Sequence, residues 1–499
     1  MEIIFQKAIE SFQGGKFSLA RKLFEAVLIE DPDNSESLFT IAKIDLREYK
    51  LEDAEKNIRQ AIGKDNRNIP YQIVLAEILY EQQEYDQLRK CCESILQKDE
   101  NTTYAYNLLG LLALTKRDYN DALEKFFKAM KLESPNIHAM KNYALTLLRV
   151  GENILAEKYS RLILKLEPDN LEAKSTLGIS LRCQGRLEEA KEIFYSIREL
   201  PKAQFNYGYI QLMQNNLSEG FENLQAWKKV AKPHQDLIKP EWNGSVSLDK
   251  TILLVSDQGY GDSILMSRFI PKLKNYFQKV IIHTDRPLIR LMKSIDENFE
   301  VIESLSGENY DYWCDVMDLP DKLGIKNAGQ IPQDPWFNIK SDFIVGSDQL
   351  NVGINWAGNP AFIYDGIRST HIETFGSLFD IEGVKWYSLH KGHLENEVQK
   401  YNLEIPLENA QDFYDSASVI KKMDLVISTC TAIPNLSASL DIPTCVVSNQ
   451  DVDWRWDAWY KSAEVYVQKN ENDWRDPVNE VRATLENLVG LKSESFIRQ

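Results

Sequence analysis

One spacing limits what this chain can fold into more than any other. Ala20, Ala54, Leu88, Ala122, Ala156 and Ala190 lie 34 residues apart. Two further series keep the same step: Phe24, Ile58, Cys92, Phe126, Ser160 and Phe194, and Ala8, Ala42, Ala76, Gly110, Ala144 and Gly178. Small residues in two registers let paired antiparallel helices approach closely, while large apolar residues between them fill the seam. Pro32 and Pro168 fall where a second helix must stop, because proline has no amide hydrogen to continue the ladder. The period slips by four residues after Ala190, and Gly208 and Gly220 then take the small positions of a seventh unit starting near Pro201. Residues 1–232 are therefore expected to form an α-solenoid of about seven helix pairs.

This period with these residue types resembles the tetratricopeptide repeat. Stacked repeats make a long concave surface that commonly holds a protein or peptide; a spacer or dimerisation arm is the other use of such an array. The asparagine ladder of animal O-GlcNAc transferase has no counterpart, since the sixth repeat positions read Gln6, Thr40, Val74, Leu108, Asn142 and Thr176. Glu77 and Glu172 are candidates for shaping a groove. The formal net charge of −17 disfavours nucleic acid and anionic lipid as general partners. "MEIIFQKAIE" lacks the basic and apolar regions of a secretory signal, and no apolar run approaches the roughly 18 residues of a membrane span. Six cysteines without a C-x-x-C pair, and few histidines, point to reduced thiols, a cytoplasmic location and no zinc site. Homo-oligomerisation is left open.

Beyond residue 232 the rhythm changes. Pro233, Pro240 and Gly244 mark a linker over 233–249. Short apolar runs then alternate with helical patterns. Strands are expected at 251–256 and 279–284, and again at 351–356, 384–389, 424–429 and 444–448. Strands alternating with helices predict parallel sheets covered on both faces. Two Rossmann-like halves, 250–345 and 346–499, follow, closed by a helix with Val478, Val481, Leu485 and Leu488 on one stripe. Ligands of such sheets bind beyond the carboxyl ends of the strands.

Three strand-to-helix junctions lie at such ends. In "VSDQGYGDSIL", Gly259 and Gly261 permit positive φ and close backbone approach, and Asp262 reads either as a helix N-cap or as a general base. The third glycine of a dinucleotide fingerprint would fall at Ile264, so that motif is absent. In "ISTCTAIPNLSASL", Thr431 reads as a plain cap or as part of a phosphate seat at the helix start. In "NWAGNPAFIYDGIRST", Arg368 suits a phosphate or a surface carboxylate, and Trp356 suits a ligand face or the core.

The junctions, in this order and behind these repeats, resemble a bacterial family of tetratricopeptide-glycosyltransferases related to the heptosyltransferases. The family pattern E-Q-G-x-G-D is matched by Asp257, Gln258, Gly259, Gly261 and Asp262. G-x-x-W-x-G-N-P is matched by Gly353, Trp356, Gly358, Asn359 and Pro360, and the R-S that follows by Arg368 and Ser369. Ser388, Leu389, Lys391 and Gly392, then Asp412, Phe413 and Asp415, then Asp453, Trp454, Arg455 and Trp456 match three further segments. The relatives' D-T-x-x-x-H is altered: Cys430 replaces the aspartate and Asn435 the histidine, while Thr431 is kept.

The resemblance implies a GT-B fold of two facing Rossmann-like halves and transfer of a sugar from a nucleotide-sugar to an acceptor hydroxyl. Asp262 would be the base. Gln258, Gly259, Gly261, Trp356, Gly358, Asn359, Arg368, Lys391, Thr429, Cys430, Thr431 and Asn435 would bind the donor. The nucleotide-sugar would be a co-substrate, with no metal required; "DVD" at 451–453 belongs to the Trp454–Trp456 segment. The acceptor would be a protein, flagellin-like in some relatives, presented by the repeats. The alternative is a catalytically decayed protein acting as a tetratricopeptide binding scaffold.

Overall fold

The 34-residue step closes into helix pairs with a fixed local chemistry. The computed structural model describes residues 1–228, 234, 236–256, 259–305, 307, 309–362, 364–391 and 395–497. Fourteen α-helices, from Glu2–Gln13 to Leu217–Leu224, occupy the described repeat region. Asn34, Asn68, Asn136 and Asn170, at the same period, each accept from the backbone N–H three residues on and so cap the first helix of a pair. The turn within each pair is left-handed at Gly15, Tyr49, Gln83, Arg117, Gly151 and Gly185, and at Asn215 after the slip. The second helices end at Glu30 and Leu166, two residues before Pro32 and Pro168.

By packing, the chain divides into two compact units: Met1–Leu147 with Lys158–Pro168, and Leu148–Glu157 with Asp169–Gln499. The core of the first is a continuous seam of small and large apolar side chains from Leu38 to Leu112. A Cβ on Gly110 would come within 2.5 Å of the Phe126 ring. The residues of the eighth and twenty-fourth series thus meet as a pair, small against aromatic. Gly178 and Phe194 repeat the arrangement in the second unit at 2.7 Å, and Gly208 faces the Gly220 carbonyl at 2.8 Å. Asn142 donates to Asn107 in the neighbouring repeat. Burial, opposed by the Tyr104 hydroxyl, raises the Glu77 carboxyl above its ordinary range.

In the second unit two all-parallel sheets follow the last repeats. The first contains β1 (Ser247–Ser256), β2 (Phe277–Thr284), β3 (Glu300–Ile302) and β4 (Tyr312–Asp315), in the order β3-β2-β1-β4. The second contains β5 (Leu350–Asn355), β6 (Val384–Ser388), β7 (Leu425–Thr429), β8 (Thr444–Ser448) and β9 (Ala463–Val467), in the order β6-β5-β7-β8-β9. β1, β2 and β5 to β8 match expected runs, whereas β3, β4 and β9 carry patterns too short to stand out. The expected helix after β1 is α-helical only over Tyr260–Met266 and continues as a 3₁₀ turn over Ser267–Asn275, with Pro271 inside it. Part of the expected linker belongs to the first half: Trp242 is buried and its N–H bonds to the Trp313 carbonyl. The last helix, Arg475–Ile497, buries Val478, Val481 and Leu485.

One hydrophobic core joins Leu212, Leu217 and Phe221 of the last repeat to both halves, through Trp454, Trp456, Trp459 and Tyr460. Gly110→Ala should destabilise the first unit by about 1–3 kcal/mol through overpacking against Phe126, despite a helix-propensity gain of about 1 kcal/mol. Gly63→Ala, with open space around its Cβ, should stabilise it by up to about 1 kcal/mol. Urea denaturation followed by circular dichroism checks both signs.

Candidate functional site

In each sheet the chain reverses its direction of growth at one place: between β1 and β4, and between β5 and β7. In doubly wound sheets generally, ligands bind beside such places, beyond the carboxyl ends of the strands. The residues singled out in the sequence come from the ends of β1, β5 and β7, except Lys391, which follows β6.

β1 ends at Ser256, and the helix Tyr260–Met266 begins with Gly259 in its N-cap position. Asp257 and Gln258 lie outside the described residues. Gly259 has φ −54°, and neither it nor Gly261 has positive φ, contrary to expectation. Gly261 is favoured by space instead: its Cβ would crowd Asn435 Nδ2 at 3.1 Å and touch Ala432 Cα at 3.6 Å. Asp262 does not cap the helix either. It stands in the first turn, 28% exposed, and its Oδ1 is 2.7 Å from Nη2 of Arg455, which is 15% exposed. Arg455 Nε is also 2.8 Å from Asp453 Oδ1. Burial works against the Arg455 charge, but Asp262 and Asp453 outweigh it and hold the guanidinium protonated beyond its ordinary range. Burial raises the Asp453 carboxyl, with Arg455 opposing.

Asn355 ties the second switch point together. Its Nδ2 donates to Ser428 Oγ at 3.0 Å and to Thr431 Oγ1 at 3.1 Å, bridging the ends of β5 and β7. His390 Nδ1 lies 3.3 Å from Asn355 Oδ1 and its ring lies 4.7 Å from Trp356, which is buried. Trp356 is thus a core side chain. Thr431 holds the N-cap position of Ala432–Ser439, but its hydroxyl accepts from Asn355 instead of capping. Thr429 is fully buried. Gly358 donates its N–H to Ser369 Oγ, and a Cβ there would meet Arg368 Nη2 at 2.8 Å and Thr431 Cγ2 at 3.1 Å. Its bareness lets the Arg368 guanidinium lie beside the β7 end. Arg368 itself pairs with Asp365 at 3.1 Å and covers the Phe362 ring. Asn359 is exposed and closes its own turn by accepting from Ala361 N–H. Lys391, also exposed, donates to the Ala410 carbonyl.

The two positions that depart from the pattern the sequence resembles, Cys430 and Asn435, are engaged by the protein. Cys430 Sγ accepts from Trp456 Nε1 at 3.2 Å, and burial pushes its thiol up to about 11. Asn435 is buried, donates to the Thr431 carbonyl at 2.9 Å and accepts from the Tyr460 hydroxyl at 3.1 Å. An amide satisfies both contacts at once, because it carries a donor and an acceptor on one planar group.

Side chains not singled out beforehand organise these loops. Asp451 receives a bidentate pair from Arg182 of the repeat helix Leu171–Cys183, at 3.2 and 2.9 Å. Arg182 also donates to Asn206 and lies 4.6 Å from the Tyr209 ring. Both carboxylates of the "DVD" run are therefore taken by guanidiniums. Arg268 is buried among Trp336, Trp459 and Tyr460, and donates to the carbonyls of Leu265, Pro332 and Trp459. The matched Asp453–Trp456 segment was the one signal for Arg455; nothing in the local sequence marks Arg182 or Asn355.

No protein-family model matches the chain. A curated relative, "Tetratricopeptide repeat protein 8" of Caenorhabditis elegans, is 21% identical over 179 residues, 36% of this chain. The chain spans 35% of that protein's length. Among solved structures, YrrB, titled a TPR protein with an unusual peptide-binding site, is 22% identical, covering 36% of this chain and 93% of its own, with a TM-score of 0.31. A tetratricopeptide repeat protein from Parabacteroides merdae is 16% identical, covering 47% and 94%, with a TM-score of 0.39. The sequence likeness is to a tetratricopeptide repeat protein over 179 residues, in keeping with the 34-residue period of the N-terminal array. No helix among the described residues is long and apolar enough to cross a membrane.

Two outcomes follow for this site. At pH 8 iodoacetamide should alkylate Cys430 roughly 100-fold more slowly than a free cysteine, because only the thiolate reacts; peptide mass mapping over time reads this. Asp451→Ala should cost about 3–5 kcal/mol by leaving Arg182 buried without its carboxylate. All ten tryptophans lie beyond residue 226, so tryptophan fluorescence during urea unfolding reports the unit that carries this pair.

Proposed function

We propose that the two α/β halves form a GT-B-type glycosyltransferase that moves a sugar from a nucleotide-sugar to an acceptor hydroxyl. The observation that supports this reading is the meeting of two switch points. The helix start carrying Asp262 lies against the helix start carrying Thr431 and Asn435, with Gly261 bare at the contact. A donor anchored at the β5 and β7 ends would present its anomeric carbon toward Asp262. The acceptor oxygen bonds to that carbon as the carbon–phosphate oxygen bond breaks. The bonding pair leaves on the nucleotide's phosphate, and the hydroxyl proton passes to the Asp262 carboxylate. Arg368 and the amides of the Ala432–Ser439 helix start are the groups suited to receive the leaving charge, and such preorganised donors serve without a metal. The repeat array, as a peptide-holding surface, would present a protein acceptor.

A second reading has specific support. Asp262 is already paired with Arg455, and Cys430 and Asn435 are satisfied by Trp456 and Tyr460. A decayed transferase serving as a repeat scaffold fits those contacts.

Thermal unfolding in the presence of UDP-, GDP-, ADP- and CMP-sugars separates the two. A transferase is stabilised selectively by one nucleotide, by about 2.7 kcal/mol at a hundredfold excess over Kd. Asp262→Asn should then show at least that shift while turnover falls about 10²–10⁴-fold. A folded protein that no nucleotide stabilises is the scaffold.

A further inference from the structure

Arg455 is the most heavily contested cation of the site. Two carboxylates from different parts of the fold hold it: Asp262 of the first half at 2.7 Å and Asp453 of its own loop at 2.8 Å. Its backbone N–H also donates to Asp453, which fixes the base of the side chain. Trp456, the next residue but one after Trp454, donates to Cys430 at the end of β7. Cys430 lies within the electrostatic reach of both Arg455 and Arg368. Two guanidiniums therefore lie near the β7 end, Arg368 beside Thr431 at Gly358 and Arg455 next to Trp456, each neutralised by a protein carboxylate: Asp365 for Arg368, Asp262 and Asp453 for Arg455.

A guanidinium binds phosphate oxygens with the same fork geometry that it offers a carboxylate. Asp262 is 28% exposed against 17% for Asp453, and the Arg455 backbone N–H ties Arg455 to Asp453, so the Asp262 ion pair exchanges at lower cost. We infer that Arg455 is a partner-switching positioning residue: a diphosphate at the β5 and β7 ends takes Arg455 from Asp262 and so frees the Asp262 carboxylate for the acceptor hydroxyl. This rests on the transferase reading and deepens it, making the base available only beside an activated sugar and favouring donor before acceptor. Cys430 fits the exchange, because a neutral thiol there leaves both guanidiniums to the incoming anion.

The test is titration calorimetry of the full chain with sodium pyrophosphate. Asp262→Asn removes the competing carboxylate and should tighten pyrophosphate roughly three- to tenfold. Arg455→Gln should weaken it, and in the Asp262→Asn, Arg455→Gln double variant the gain must vanish. A gain that persists in the double variant is general charge removal and overturns the exchange. Unchanged or weaker binding by Asp262→Asn overturns it too, as does absence of pyrophosphate binding to both the wild type and Asp262→Asn. If Arg455→Gln does not fold, Arg455→Lys takes its place: it keeps a cation beside Asp453, and the Asp262→Asn gain must shrink in its presence. The coupling observed without turnover of any nucleotide-sugar leaves the exchange standing and removes the transferase reading. Turnover without the coupling does the reverse.

Discussion

The α/β unit depends on how its buried guanidiniums are paid for by partners. Arg182, Arg268 and Arg455 are all largely removed from water. A guanidinium cannot shed its proton to escape a low-dielectric site, so each must bring carboxylates, carbonyls or aromatic faces with it. Arg182 brings Asp451, Arg455 brings Asp262 and Asp453, and Arg268 brings three carbonyls and an aromatic cage. Apart from the local contacts of Arg455 with Asp453 and of Arg268 with Leu265, these contacts fix one element against another. The Asp451–Tyr460 segment takes part in all three sets and thereby locks a repeat helix, the first half and the second half around one core.

That arrangement changes what the last repeats are for. Phe221 packs edge-on against both Trp454 and Trp459, and Tyr209 lies beside Arg182. The terminal helix pairs are thus walls of the α/β unit as well as members of the array. These helices therefore touch the loop that carries Arg455, and Arg455 pairs with Asp262. Cys430 and Asn435 belong to the same network. Each is bonded to an aromatic residue of the Asp451–Tyr460 segment.

The repeat half was legible in the sequence because its interactions are local and periodic. The small residue at Gly110 and the ring at Phe126 are 16 residues apart, and every repeat states the same rule again. The left-handed turn series was half visible, since Gly15, Gly151 and Gly185 keep the period while Tyr49, Gln83 and Arg117 hide it. In the α/β half the buried strands read as apolar runs of the right length. β3, with three residues, and β4, with four, were too short for any pattern. The junction residues were found, but their roles were assigned from single loops. Asp262 reads as a cap or a base within its own loop, and its partner Arg455 lies 193 positions away. Trp356 reads as a ligand face or a core ring until His390 is seen against it.

By itself, the sequence determined the helix-pair period, the change to alternating strands and helices, and the set of loops where chemistry is concentrated. Those follow from hydrophobic spacing, proline and glycine, which act over a few residues. Only the tertiary structure decided which polar and charged groups meet. Asp262 with Arg455, Asp451 with Arg182, and Asn355 across Ser428 and Thr431 are pairings between distant segments. Burial sets their strength, and burial is a property of the assembled fold, because a charge loses its water only when other parts of the chain close over it.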